Sequence, residues 1–261
     1  MNKLLLALTL IAAVFTNNAF AEEITYYGHE YSGDLKDGKP HGEGEIINNN
    51  GSTFVGAWKE GQMVYGTYTF ANGEQYIGEF ERFDFHGQGT FTWVSGNKYV
   101  GNWKDGNRHF EGTFTWSNGA KYVGNWNQDE RHWDGTMTWP NGDVYVGEWD
   151  ENKKHGKGTM TRKIGDSYEG EWKNDTYHGM GVLTDNNGYR YEGLFKNGSK
   201  DLDYEKKKIK AEKEEKLAKN KAEKEKKMKL QSETKCANKA GKASNDFAAK
   251  KIYESCMAAN K

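Results

Sequence analysis

From residue 31 to residue 195 apolar and polar positions alternate with a period of two, and the alternation restarts about every 23 residues. Tyr99-Val-Gly101-Asn-Trp103 returns as Tyr122-Val-Gly124-Asn-Trp126, as Tyr145-Val-Gly147-Glu-Trp149 and as Tyr168-Glu-Gly170-Glu-Trp172. Upstream, Tyr76-Ile-Gly78-Glu-Phe80, Phe54-Val-Gly56-Ala-Trp58 and Tyr31-Ser-Gly33-Asp-Leu35 continue the series. Tyr191-Glu-Gly193-Leu-Phe195 opens an eighth unit that is never completed. A fixed period of this length is the mark of a repeat architecture.

Within a unit the alternation predicts two strands. Tyr99, Gly101 and Trp103 fall on one side of the first strand, Val100 and Asn102 on the other. In the second, Phe114 and Trp116 alternate with Thr113 and Thr115, and Gly89-Thr-Phe-Thr-Trp93 and Gly135-Thr-Met-Thr-Trp139 repeat the pattern. A loop such as Lys104-Asp-Gly106-Asn separates the two strands. Asn72-Gly73, Asn118-Gly119 and Asn141-Gly142 follow them and read as hairpin turns, in which both residues accept positive φ. Each unit is therefore expected to be one hairpin, the hairpins joining edge to edge in one antiparallel sheet. Glycine weakens a strand unless something approaches closely. Here its bare backbone leaves room for a ring to lie across it. Each buried ring covers about 150–250 Å², or about 4–6 kcal/mol as an upper bound. A row of rings can thus hold a single-layer sheet without a second layer.

These residues resemble the MORN repeat, in which Tyr-x-Gly-x-Trp is followed by a short Gly loop, His-Gly-x-Gly and a strand. His41-Gly-Glu-Gly44, His86-Gly-Gln-Gly89, His155-Gly-Lys-Gly158 and His178-Gly-Met-Gly181 match the second half of that pattern. The resemblance covers about residues 31–198. It implies a mainly β fold: an elongated single-layer antiparallel sheet of MORN-type hairpins. It also implies a scaffold or adaptor, with a variable affinity for acidic phospholipids among members. Val64-Tyr65-Gly66, His109-Phe110-Glu111 and His132-Trp133-Asp134 lack the His-Gly pair. Those three loops are expected to be reshaped.

The ends of the chain differ from the repeats. Lys3, the apolar run Leu4 to Phe15 and Ala19-Phe20-Ala21 have the order of a signal peptide, residues 1–21, with cleavage between Ala21 and Glu22. The run is too short to span a bilayer, and its brevity favours a bacterial periplasm. A soluble exported chain is expected. Residues 22–200 hold the array and carry a net charge of −9, from 18 Lys and Arg against 27 Asp and Glu. Residues 201–261 carry +7, from 18 against 11. From Tyr204 to Leu230 the chain is mainly Lys, Glu and Ala, with Glu212/Lys216 and Glu223/Lys227 spaced i,i+4. Residues 201–230 are therefore expected to form a solvated helix, a spacer rather than a binder. Residues 231–261 are expected to form a small helical hairpin. An oxidising compartment permits a Cys236–Cys256 disulfide. One continuous helix would hold the two apart, so the chain must reverse near Gly241 to Asn245, with Ser244 or Asn245 capping the second helix.

Chemistry is sparse. His41, His86, His109, His132, His155 and His178 share one repeat position. Copies two strands apart stand about 9–10 Å from one another, a poor arrangement for one metal ion. A structural role is expected, the imidazole bonding the loop. The rings are expected to pack on each other rather than serve as a ligand platform. Phe110 and Trp133 stand where the family has Gly, and are the candidate partner contacts. No nucleophile elbow, phosphate loop or metal-ligand spacing occurs. The sequence therefore predicts no enzyme, cofactor or metal, no nucleic-acid partner, and a non-catalytic scaffold facing a protein. The alternative is an envelope module that holds glycan through its rings or anionic lipid through residues 201–230.

Overall fold

The computed structural model describes residues 22–242 and 244–259. Ala21 and the rest of the expected signal peptide lie outside the described residues. The chain divides into two compact units, one ending at Ser199 and the other beginning at Lys200.

The first unit is one antiparallel sheet of 17 strands. They are β1 (Glu22–Tyr26), β2 (His29–Lys36), β3 (Lys39–Ile47), β4 (Thr53–Lys59), β5 (Gln62–Thr69), β6 (Gln75–Glu81), β7 (Asp84–Thr92), β8 (Lys98–Lys104) and β9 (Asn107–Thr115). There follow β10 (Lys121–Asn127), β11 (Glu130–Thr138), β12 (Val144–Asp150), β13 (Lys153–Thr161), β14 (Ser167–Lys173), β15 (Thr176–Thr184), β16 (Arg190–Lys196) and β17 (Ser199–Lys200). From β1 to β16 each strand pairs with the next in the chain, so the sheet is an open meander of hairpins.

The alternation read from the sequence is the alternation of burial. Tyr99 is 0% and Trp103 5% exposed, whereas Val100 between them is 45% exposed. All the buried rings stand on one face. Glycines pair across strands in register, Gly101 with Gly112 and Gly124 with Gly135, and each pair lies beneath a tyrosine ring. A Cβ on Gly112 would overlap the Tyr99 ring, and one on Gly135 the Tyr122 ring. The bare strand is what admits the ring.

One turn assignment is corrected. The tight two-residue hairpin turns, with positive φ at both positions, fall at Asp105-Gly106 (φ 49 and 76) and its equivalents. At Asn118-Gly119 only the glycine is left-handed, at φ 88. There Gly119 N–H donates to Trp116 O and Trp116 N–H to Ala120 O, closing a wider connection. The Asn118 side chain accepts from Ala120 N–H at 3.0 Å. The asparagine is therefore used for its oxygen rather than for a left-handed backbone.

The second unit holds α1 (Leu202–Ala240) and α2 (Asp246–Ala258). Asp201 caps α1, accepting from the amides of Asp203 and Tyr204. The helix continues past residue 230, where the sequence suggested a boundary. Gln231 to Ala240 contains no Gly or Pro, and the Ser232 and Thr234 hydroxyls bond back to Lys229 O and Leu230 O. The chain reverses after Gly241, and Asn245 caps α2 by accepting from Ala248 N–H. That reversal brings Cys236 and Cys256 together in a disulfide with Cα atoms 5.5 Å apart.

Candidate functional site

The buried face of the sheet is a continuous zipper of rings. Tyr99 meets its own unit's Trp103 edge-to-face at 5.1 Å and the next unit's Trp126 at 5.5 Å. Tyr122 does the same with Trp126 and Trp149, and Tyr145 with Trp149 and Trp172. Tyr76 joins Phe80 to Trp103, and Tyr168 joins Trp172 to Phe195. Most of the polar tips are satisfied locally, the buried Trp103 indole N–H being an exception. The Tyr122 hydroxyl donates to Asn125 O at 3.0 Å, and the Trp172 indole donates to Gly158 O at 2.9 Å. Burial pushes the hydroxyls of Tyr31 and Tyr168 up to about 12, and those of Tyr76, Tyr99, Tyr122 and Tyr145 further still. They remain protonated donors. The expectation that the rings pack on one another describes this face.

The residue paired with each zipper tryptophan or its equivalent changes along the array. Phe85 stacks on Tyr76 at 3.9 Å and Tyr177 on Tyr168 at 3.8 Å. In the three units between them the position is Arg108, Arg131 and Lys154. Their charged ends lie over the Trp126, Trp149 and Trp172 rings at 4.4, 4.3 and 4.6 Å. Each cation also reaches the next hairpin turn. Arg108 Nε donates to Asp129 Oδ1 at 2.8 Å, Arg131 Nη2 to Asn152 O at 2.7 Å, and Lys154 Nζ stands 4.0 Å from Asp175. Burial lowers the Arg131 and Lys154 values, and Asp175 opposes that shift at Lys154. These cations tie one hairpin to the next. Sequence reading missed them, though their recurrence 21 residues before Asp129, Asn152 and Asp175 was in view.

The open face carries the two contact candidates. Phe110 is 54% and Trp133 50% exposed, with Val100, Val123 and Val146 also exposed. Their loops are not reshaped, contrary to expectation. Phe110 and Trp133 hold φ 53 and 52, beside 56 at Gly87 and 54 at Gly156. What changes is the neighbour on the preceding strand. Where the position is Gly, a carboxylate folds over it: Glu79 accepts from Gln88 N–H at 3.0 Å and Glu148 from Lys157 N–H at 2.8 Å. A Cβ on Gly87 or Gly156 would run into that carboxylate. Beside Phe110 and Trp133 the carboxylate is replaced by Asn102 and Asn125, which donate to Glu111 O and Asp134 O. Only the Val64-Tyr65 loop is reshaped: Trp58 pairs with Met63 and Ala57 with Tyr65, in the unit that is one residue shorter.

The expected loop bonding holds for part of the histidine row only: the buried Nδ1 atoms of His86 and His155 have no hydrogen-bond partner among the described residues. His41 and His109 accept at Nδ1 from Glu60 and Gln128 N–H, and His132 stands 3.5 Å from Asp150. His86 lies 3.3 Å from Glu81. Among the described residues no three His, Cys, Asp or Glu side chains converge as metal ligands would. Among them too, no helix is long and apolar enough to cross a membrane.

The MORN repeat pattern matches seven successive segments, residues 31–53, 54–75, 76–98, 99–121, 122–144, 145–167 and 168–188. The chain belongs to the MORN-repeat family. MORN repeats are generally protein- or membrane-binding modules and typically non-catalytic. No curated protein matches the chain in sequence. Among solved structures, similarity is found to the SAS-4 (dCPAP) TCP domain of Drosophila melanogaster, in complex with a proline-rich motif of Ana2 (dSTIL). It is 13% identical with a TM-score of 0.38, over 70% of this chain and 93% of that one. A mutant TCP10 domain of Danio rerio CPAP is 12% identical with a TM-score of 0.23, over 67% and 100%. Virginiamycin B lyase from Staphylococcus aureus is 12% identical with a TM-score of 0.17, over 67% and 60%. Similarities this distant carry no assignment for this MORN chain.

Proposed function

We propose that the chain is an exported, non-catalytic MORN scaffold that presents the open face of its sheet to a protein partner, with Phe110 and Trp133 as anchors. The observation that carries this reading is their exposure on a left-handed backbone where sister units place glycine. A bulky residue there strains the chain, and exposed rings are the side chains that anchor protein interfaces. The Lys3, Leu4–Phe15 and Ala19-Phe20-Ala21 order supports export to the periplasm, and an oxidising compartment suits the Cys236–Cys256 pair.

The test is photo-crosslinking in intact cells, with the reactive group placed at 110 or 133 of the full chain. The expected outcome is one discrete protein adduct shared by both positions. Affinity for the recovered partner should fall roughly 30-fold in Phe110→Ala with Trp133→Ala, the size of one interface hot spot. Adducts of lipid or murein alone would favour envelope attachment, the second reading. That reading rests on the +7 charge of residues 201–261, since anionic lipid attracts basic segments.

A further inference from the structure

We propose that the N-terminal end of the array holds a separate binding site, a cleft for an uncharged, ring-bearing small molecule, closed by Tyr27 and Phe83. The cleft measures about 530 Å³ and is walled by Tyr26, Tyr27, Tyr68, Phe70, Phe83 and Phe85. That volume lies within the range of small-molecule sites, which are apolar hollows with a few polar groups.

The hollow arises where the repeat is interrupted. At the position held by Phe85, Arg108, Arg131, Lys154 and Tyr177 in later units, the first two units place Pro40 and Met63. At the position held by Trp93, Trp116 and Trp139 the first unit places Asn48. Ring and cation are thus withheld from one end of the face, where the smaller side chains of Pro40 and Met63 are buried instead.

The lining decides the ligand class by matching charge. Among the described residues no Asp, Glu, Lys or Arg lines the cleft. Its polar groups are already engaged with one another. Asn48 Nδ2 donates to Ser52 Oγ at 2.9 Å and to the Tyr68 hydroxyl at 3.2 Å, and these two oxygens lie 2.8 Å apart. His29 Nδ1 accepts from Asn49 N–H, and the Tyr26 hydroxyl donates to Gly61 O. An ion would leave water for a site with no counter-charge. A neutral ring would lose little on leaving water and would meet ring faces and edges.

The closing pair is a second, independent observation. Tyr27 and Phe83 sit in hairpin turns at φ 48 and 69. In every other such turn among the described residues the second position is Gly, Asp or Asn; at Phe83 it is a phenylalanine. The two rings meet edge-to-face at 6.4 Å yet stay 73% and 42% exposed. Bulky left-handed residues persist where a site needs them, and turn chemistry favours Asn at both positions.

Those same substitutions make the test, using the full chain and N-phenylnaphthylamine, an uncharged dye whose emission rises in apolar surroundings. Saturable one-to-one binding is expected, displaced by indole and not by benzyltrimethylammonium. Tyr27→Asn with Phe83→Asn should weaken the dye roughly ten-fold or more while the melting temperature holds or rises, because asparagine accepts the left-handed turn. Met63→Trp should fill the hollow and weaken the dye without touching the turns. Unchanged dye affinity in either variant would overturn the site. A lower melting temperature in the double variant would make the rings structural and overturn it as well. Preferential displacement by the ammonium compound would overturn the uncharged class.

Discussion

The two units of this chain are stabilised in opposite ways. In the sheet nearly every buried side chain is a ring, touching the ring of its own unit and that of the next. In the helical unit α1 runs for 39 residues and its only buried side chains are Cys236 and Ala240. Its apolar residues face water: Leu217 is 71% exposed. The sheet is held by side chains distributed evenly along it, and the helix by capping, backbone bonds and one covalent link near its end. Burial of rings over glycine is what allows a chain with a mean hydropathy of −1.01 to build a sheet of this length.

The sharpest way to break this contrast is a matched pair of truncations. Tyr122→Ala removes a fully buried ring from between Trp126 and Trp149. It should cost about 3–5 kcal/mol in denaturant unfolding of the sheet. Leu217→Ala should stay within about 0.5 kcal/mol. Equal effects would show that the sheet does not depend on its rings.

Next in size is reduction of the disulfide, whose two ends are 20 residues apart. Closing a loop of that size stabilises by about 3 kcal/mol. Reduction should melt α2, seen as lost amide protection over Asp246–Ala258, and leave the sheet's unfolding midpoint unchanged. A shift in that midpoint would show that the two units share stability.

The smallest effect tests the sheet against itself. Asn125→Glu with Trp133→Gly rewrites one aromatic loop as the carboxylate-over-glycine loop of its sister units. A double-mutant cycle should give a favourable coupling of about 1 kcal/mol, the double variant being more stable than the sum of the two single variants predicts. Zero coupling would mean that the two loop types are not physical alternatives.

The period, the strand alternation and the ring-over-glycine contact were legible because all three rest on Tyr, Gly and Trp at fixed spacing. The disulfide was legible from an oxidising compartment and the reversal between its cysteines from chain reach, whereas the cap stayed open between Ser244 and Asn245 until the structure gave Asn245. The cation row was not, because Arg108, Arg131 and Lys154 sit in a strand that reads as polar. Their burial depends on Trp126, Trp149 and Trp172 of the following unit. The exchange of Glu79 and Glu148 for Asn102 and Asn125 went unread for a related reason: it couples residues nine apart on neighbouring strands. Tyr27 and Phe83 were hidden because turn signals are sought among Gly, Asn and Asp. The end of α1 was placed early, at Leu230 where the Lys, Glu and Ala composition ends, because Ser232 and Thr234 beyond it bond back to the helix instead of breaking it.

The pairing of every strand with its immediate neighbours in the chain has a kinetic consequence. Sheets usually form slowly because distant segments must find one another before any contact rewards the lost entropy. In this meander the partner is always the next strand, a turn or short connection away. Nucleation can therefore occur at any hairpin and spread in both directions, with no topological trap between start and finish.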